Sequence, residues 1–144
     1  MRIVETRSLN GVKISNEQEK FVLPFSEISK CLNNEYCKSF YAFTNDGEKV
    51  GFALLRTFAI NKYFLWVFMI NEEHQNKGHG TKFLKKLIHH MRDEVGAVII
   101  TTAYNCEDEI SKKLFENFGF VQTNIAKSTQ MCEVEMVYDM RWLS

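Results

Sequence analysis

Residues 74–90 read HQNKGHGTKFLKKLIHH, with Gly78 and Gly80 just ahead of a strongly amphipathic stretch. The first N–H groups of a helix have no partner inside it, and the helix dipole is positive there. Glycines remove the β-carbons that would hold an anion at a distance. The pattern therefore suits a phosphate cradle, with Lys77 and Lys82 adding positive charge. It does not complete a longer phosphate motif. The dinucleotide fingerprint needs a third glycine where Phe83 stands, and an acidic residue ending the next strand, where IITTAY has none. The Walker pattern is absent as well. On the loop alone, a tight strand-to-helix turn explains the glycines as well as a ligand does.

Other reactive residue types form no pattern. His74, His79, His89 and His90 lack a carboxylate or thiolate partner at metal-ligand spacing, so no metal is expected. Cys31, Cys37, Cys106 and Cys132 include no C-x-x-C pair. A chain of 144 residues with a real core does not need disulfides, so reduced thiols are expected. The 18 basic and 18 acidic side chains cancel. No basic field points to nucleic acid, and no polybasic run points to an anionic membrane. MRIVETRSLN is not a signal peptide, and the apolar run YFLWVFMI is too short to span a bilayer. A soluble, cytoplasmic protein is expected.

The elements that would position the glycine loop follow from periodicity. Hydrophobic residues make up 45% and aromatic residues 13%, ample for one packed domain. RIVETR, residues 2–7, alternates as a first strand. SNEQEKFV suits a short helix capped by Ser15 or Asn16. SEISKCLNN suits a second, with Ser26 as N-cap and Ile28, Cys31 and Leu32 on one face. Two β-rich runs flank Asn45-Asp46-Gly47-Glu48, a hairpin signal. KYFLWVFMIN is apolar on both parities, so both its faces should be buried. A helix over about residues 79–95 then presents Phe83, Leu84, Leu87, Ile88, Met91 and Val95. GAVIITTAY reads as a buried strand. CEDEISKKLFENFGF reads as a helix with Ile110, Leu114, Phe115 and Phe118 inward and Gly119 ending it. FVQTNIA and CEVEMVYDMRW close the chain as strands. Hairpins followed by βαβ units imply a mixed sheet with helices packed on it.

Two segments together resemble a known family. Gln75-Asn76-Lys77-Gly78-His79-Gly80 is similar to the Q/R-x-x-G-x-G/A segment of the GCN5-related N-acetyltransferases, or GNAT superfamily. LFENFGF, Leu114 to Phe120, is similar to that family's L-Y-x-x-x-G-F helix end. They stand in the family's order with a strand between them, and the likeness covers about residues 36–141. YFLWVFMINEEHQNKGHG and EQEKFVLPFSEI further resemble the bacterial spermine/spermidine acetyltransferase branch. The resemblance implies an α/β (α+β mixed-sheet) GNAT-like acyl-CoA N-acyltransferase fold. About six to seven strands, helices on both faces and a single domain over residues 1–144 are expected. It implies acetyl-CoA as cosubstrate, its pantetheine arm bonded to the backbone of a splayed strand at Phe68, Met69 and Ile70. The pyrophosphate would rest on the amides of Asn76, Lys77, Gly78, His79, Gly80 and Thr81, with a hydroxyl from Thr81.

The departures are informative. Gln75 stands where the family often has Arg, which removes one charge but keeps donors. Asn76 replaces a frequent Gly, and asparagine tolerates left-handed geometry. The family's asparagine that contacts the cofactor arm maps to Asp108 by count, or to Asn105 if the loop shifts. Both stay open, and Asp108 also suits a helix start. Phe115 stands where many members have the tyrosine that protonates the leaving thiolate. A primary amine with a pKa near 10.4 is only about one part in 10³ neutral at pH 7. Its proton must go somewhere, yet FLWVFMI contains no ionisable group. Glu72, Glu73, Tyr104, Glu107 and Asp108 remain as groups near strand ends, and Tyr104 is the catalytic candidate singled out. Cys106 could be a nucleophile, but direct transfer needs none. Glu27, Glu35 and Glu107 to Glu109 could draw in a cationic amine.

The favoured reading is an N-acetyltransferase acting on a small primary amine such as a polyamine, by direct attack in a ternary complex. The alternatives are a protein or peptide N-acetyltransferase and a catalytically silent acyl-CoA-binding module. A small-molecule amine is the expected partner, without nucleic acid or membrane, and a homodimer is open. The cradle makes a direct prediction. Gly80→Val will weaken CoA binding while leaving the fold largely intact, measured by calorimetric titration beside circular dichroism. Unchanged affinity would remove the cradle.

Overall fold

The Asp46-Gly47 turn does what its residue types dictate. Gly47 takes φ 85° and donates to the Thr44 carbonyl, while Thr44 donates to Glu48. This joins β2 (Cys37–Phe43) to β3 (Lys49–Ala59) as an antiparallel hairpin. A computed structural model of the chain describes residues 1–8 and 25–143. The helix expected in SNEQEKFV lies outside the described residues. The remaining elements are β1 (Arg2–Glu5), α1 (Phe25–Leu32), β4 (Lys62–Ile70), α2 (His79–His90), β5 (Ile99–Asn105), α3 (Glu109–Phe118), β6 (Val121–Lys127) and β7 (Cys132–Asp139). Ser26, expected as a cap, lies inside α1 instead.

The strands form one seven-stranded sheet in the order β1-β2-β3-β4-β5-β7-β6. All neighbours are antiparallel except β4 and β5, which are parallel. Helices cover both faces, as expected. Phe83, Leu84, Leu87 and Ile88 of α2 and Phe115 of α3 join one core with Phe40, Leu55, Leu65 and Ile100. Ile28 and Leu32 of α1 join a second core with Tyr41, Phe52, Leu54, Val67 and Met69. No described helix is long and apolar enough to cross a membrane.

Strand β4 serves both cores because it carries a bulge. Leu54 pairs with Val67 and Leu55 with Leu65, so Trp66 is an extra residue. Leu65 therefore joins the α2–α3 core, whereas Val67 and Met69 join the α1 core. This is how a strand apolar on both parities buries both sets. The helix expected over 79–95 is α2 followed by a π-helical turn, Met91–Val95, ended by Gly96 in left-handed geometry.

Two expectations fail in α3 and at the cysteines. Ile110 is 70% exposed. It sits in the first turn of α3, while Leu114, Phe115 and Phe118 pack inward. Reduced thiols were expected throughout, but Cys106 and Cys132 form a disulfide with a Cα–Cα distance of 5.5 Å. The sheet register creates it. Asn105 faces Glu133, so the next residues, Cys106 and Cys132, face each other, and Cys106 N–H donates to the Cys132 carbonyl at 3.1 Å. Cys31 and Cys37 are free thiols.

The crosslink closes a loop that contains α3 and β6, with a sequence separation of 26. Restricting that loop in the unfolded chain contributes about 3 kcal/mol. Reductant will therefore lower the thermal midpoint of the wild type. A Cys106→Ser/Cys132→Ser variant will melt lower and will not respond to reductant, measured by calorimetry. A wild-type midpoint insensitive to reductant would mean that the bridge does not stabilise the fold.

Candidate active site

The sheet opens at one place. Strands β4 and β5 pair from Lys62 and Ile99 up to Leu65 and Thr102, and no further. Beyond that point β4 stays bonded to β3 up to Ile70, and β5 stays bonded to β7 up to Asn105. The two strands therefore diverge, and the backbone of Trp66–Ile70 on the β5 side has no strand beside it. Thr102 sits at the vertex. It is buried, and its hydroxyl donates to the Leu65 carbonyl at 3.0 Å, so the last carbonyl before the gap is satisfied by a side chain. Sequence reasoning did not single out Thr102. Its signal was a threonine pair within the run GAVIITTAY read as a buried strand, where a buried hydroxyl needs a partner.

The α2–α3 side of this gap is aromatic. Phe68 stacks on Phe83 at a centroid distance of 4.8 Å and meets Phe115 edge-on at 6.3 Å. Tyr104, from β5, stacks on Phe115 at 6.3 Å with an interplanar angle of 19°. Tyr104 is only 7% exposed. Burial pushes its phenol pKa up, and the nearby carboxylates of Glu116, Glu109 and Asp108 push it the same way. It therefore stays protonated at neutral pH, which suits a donor rather than a proton acceptor. Of the expected arm-contacting residues, Met69 is fully buried in the α1 core, Ile70 is buried and Phe68 is half-buried. Met69 and Ile70 therefore offer a ligand in the gap mainly their backbone, and Phe68 offers its backbone and part of its ring.

The glycine loop stands at the open end. Asn71 ends β4 as a buried residue, with its N–H on the Val50 carbonyl at 2.7 Å and its Nδ2 on the Lys49 carbonyl at 2.9 Å. A 3-10 turn, Glu72–His74, follows. Gln75 reaches back, its Nε2 donating to the Ile70 carbonyl at 3.0 Å. That bond ties the loop to the end of β4. Asn76 adopts left-handed geometry at φ 62°, as its residue type allowed. Lys77 donates to the Glu73 carbonyl at 3.2 Å. Gly78 is the residue before α2, at φ 82°.

The loop's fit to a diphosphate can be read from its atoms. Gly78 needs to be glycine for its dihedral. Gly80 does not need it for the fold, since an added β-carbon would lie 3.7 Å from Ile70 Cγ1 and 3.8 Å from Leu114 Cδ1, ordinary contacts. The packing around Gly80 therefore does not by itself require a glycine there. The bond closing the helix start is long, Lys82 N–H to the Gly78 carbonyl at 3.4 Å. The amides of His79, Gly80 and Thr81 precede it and have no intrahelical acceptor. His79 carries a buried Nδ1 without a hydrogen-bond partner. Burial lowers its pKa, with His74, Lys82 and Lys77 adding to the effect and Glu48 opposing it. Its ring meets that of His74 at 5.8 Å, and His74 lies 3.5 Å from Glu48. Thr81 is exposed at the helix start. These residues fit an anion arriving over the N-terminus of α2.

After β5, Asn105 and Asp108 have distinct tasks. Asp108 caps α3, accepting from the Ser111 N–H at 3.1 Å and the Ser111 hydroxyl at 2.7 Å. Asn105 Oδ1 accepts from the Glu107 N–H at 2.9 Å, and Asn105 ends the strand beside the gap. Glu72, Glu73 and Glu107 are exposed on turns. Among the described residues, no group of three or more His, Cys, Asp or Glu side chains is placed to hold a metal ion.

Comparison with known proteins agrees with this geometry. The sequence profile of the Acetyltransferase (GNAT) family matches residues 8–120. No curated protein matches in sequence. Among solved structures, a variant of spermidine N-acetyltransferase SpeG from Vibrio cholerae superposes with a TM-score of 0.72 at 16% identity, covering 84% of this chain and 79% of that one. The dodecameric structure of the same Vibrio cholerae enzyme gives 0.69 at 16%, covering 84% and 78%. The ribosomal-protein-S18-alanine N-acetyltransferase from Escherichia coli gives 0.69 at 16%, covering 96% and 94%. A parallel strand pair that parts at Thr102, a left-handed loop with bare amides and a profile match over most of its length leave one conclusion: the chain belongs to the acetyltransferase (GNAT) family and is an acetyl-CoA-dependent N-acetyltransferase.

Proposed function

We propose that this enzyme acetylates a primary amine of a polyamine by direct attack in a ternary complex. The observation that carries the reading is the gap between β4 and β5, with unpaired backbone on its β4 side. Acetyl-CoA, when bound, supplies the activated acyl group. The amides and side chains of Asn76, Lys77, Gly78, His79, Gly80 and Thr81 hold its diphosphate at the start of α2. Gln75 keeps the loop folded for that contact. The backbone of Phe68, Met69 and Ile70 bonds the arm along the strand, and a β4 amide facing the gap stabilises charge developing on the thioester oxygen. Asn105 contacts the arm from the β5 side, whereas the Asp108 carboxylate is committed to the helix cap.

Tyr104 takes a different role from the one first considered. Its raised pKa makes it a poor base, and its ring lies against Phe115, where many relatives carry tyrosine. We assign it as the donor to the departing sulfur. The polyamine acceptor is supported by the structural likeness to spermidine N-acetyltransferase. A second reading, a peptide N-terminal amine, is favoured by the fuller coverage of the S18-alanine enzyme. Homodimer formation and a cytoplasmic setting belong to the same proposal. The Cys106–Cys132 bridge weighs against the second of these, since disulfides are rare in reducing compartments.

Mass spectrometry of reactions containing acetyl-CoA and a panel of spermidine, spermine, diamines, amino acids and short peptides will show a mono-acetylated polyamine. Acetylated peptides alone would select the second reading. In the same assay Tyr104→Phe will lower kcat at least about tenfold with acetyl-CoA affinity unchanged. Wild-type turnover in that variant would remove Tyr104 from the chemistry.

A further inference from the structure

The acceptor amine arrives as an ammonium ion, and residues 64–70 of β4, FLWVFMI, offer no group to deprotonate it. Neither do the groups at the strand ends. Asp108 caps a helix, Tyr104 is buried among aromatic rings on the α2–α3 side, and Glu72, Glu73 and Glu107 are exposed on turns. The opposite face of the sheet supplies one. An open cavity of about 470 Å³ lies there, lined by Phe64, Thr101, Thr102, Ala103, Glu135 and Met136 among others. Thr102, whose hydroxyl marks the vertex of the gap, is part of its wall. The cavity and the gap therefore meet at the point where β4 and β5 separate.

Glu135 is the ionisable side chain best placed at that junction. On β7, Val134, Met136 and Tyr138 face the α2–α3 core, which turns Glu133 and Glu135 to the cavity side. Glu135 pairs with Ala103, the first β5 residue past the last β4–β5 pair. One strand spacing, about 4.8 Å, separates β7 from β5. Ala103 carries only a methyl group, so no tall side chain stands on β5 between the Glu135 carboxylate and the gap. Glu135 is half-buried, and its backbone carbonyl accepts from the Thr123 hydroxyl at 3.2 Å, which fixes the strand beneath it. Among the described residues its carboxylate makes no ion pair within 4.0 Å. The charged groups facing it in the cavity are Arg56 of β3 and Glu133 of β7. Phe64 of β4, Thr101 and Ala103 of β5, and Thr123 of β6 add none.

We infer that Glu135 is the general base of the reaction, receiving the acceptor amine from the cavity while the thioester lies in the gap. This assignment rests on the acetyl-transfer reading above. The carboxylate takes one proton from the ammonium ion. The freed lone pair forms the N–C bond to the thioester carbonyl carbon, and the C–S bond breaks with its electron pair going to sulfur. The second nitrogen proton passes to solvent as the amide forms, the thiolate takes a proton from Tyr104, and solvent returns one to the Tyr104 phenolate. The proton on Glu135 passes to water, so the net products are the acetamide, the CoA thiol and one proton.

The test compares wild type, Glu135→Gln and Glu135→Asp on whichever amine the wild type accepts, across pH, with acetyl-CoA affinity measured in parallel by calorimetry. The expected result is a loss of kcat in Glu135→Gln of at least about 10²-fold, unchanged acetyl-CoA affinity, loss of the acidic limb of the kcat profile, and partial recovery in Glu135→Asp. Activity in Glu135→Gln within about threefold of wild type would overturn the assignment, as would an equal loss of acetyl-CoA affinity. Wild type acting on a peptide but no polyamine would overturn the polyamine reading alone, and Glu135 would be judged on that peptide by the same ratio. Wild type turning over no amine would overturn both.

Discussion

The layout of the candidate site rests on where two parallel strands stop pairing. Leu65 and Thr102 make the last contact, and the Thr102 hydroxyl occupies the Leu65 carbonyl. A parallel pair normally continues as long as both strands do, because an unpaired buried backbone group costs free energy. Here β4 continues to Ile70 and β5 to Asn105, each held by its other neighbour. The sheet thus carries an opening that its remaining hydrogen bonds keep rigid. A ligand entering it completes a ladder already half built and orders little new backbone.

The other parts of the site line up on this opening by chain connectivity. Strand β4 ends at buried Asn71, so the loop that follows must emerge at the gap's mouth, and α2 must start there. Phe83 anchors the first turns of α2 against Phe68, which ties the unpaired amides of the helix start to the strand bearing the free backbone. Strand β5 ends at Asn105 and leads into α3, whose Phe115 packs under the same gap.

Much of this was legible in the residues. Helical spacing located α2 and α3, the Asp46-Gly47 pair located the hairpin, and Asn76 was recognised as tolerant of the left-handed geometry it adopts. The disulfide was not, because it depends on register, which local pattern does not contain. Cys106 and Cys132 meet because Asn105 faces Glu133, a pairing between distant segments. Ile110 has helical spacing with Leu114, yet it stands exposed in the first turn of α3.

The extra residue at Trp66 has a consequence for how this chain can vary. Before it, Leu65 belongs to the α2–α3 core, and after it Val67 and Met69 belong to the α1 core. The bulge is thus a phase shift written into one strand. Without Trp66, Leu65 would still face Leu55 and Val67 would still face Leu54, so every later side chain of β4 would keep its side of the sheet and Phe68 its place in the aromatic floor. What would go is the local kink and added twist that the extra residue gives the strand. A one-residue insertion or deletion with no bulge to absorb it would instead turn every following side chain to the opposite face. The bulge is therefore the place in β4 where the chain can shorten by one residue with both cores kept.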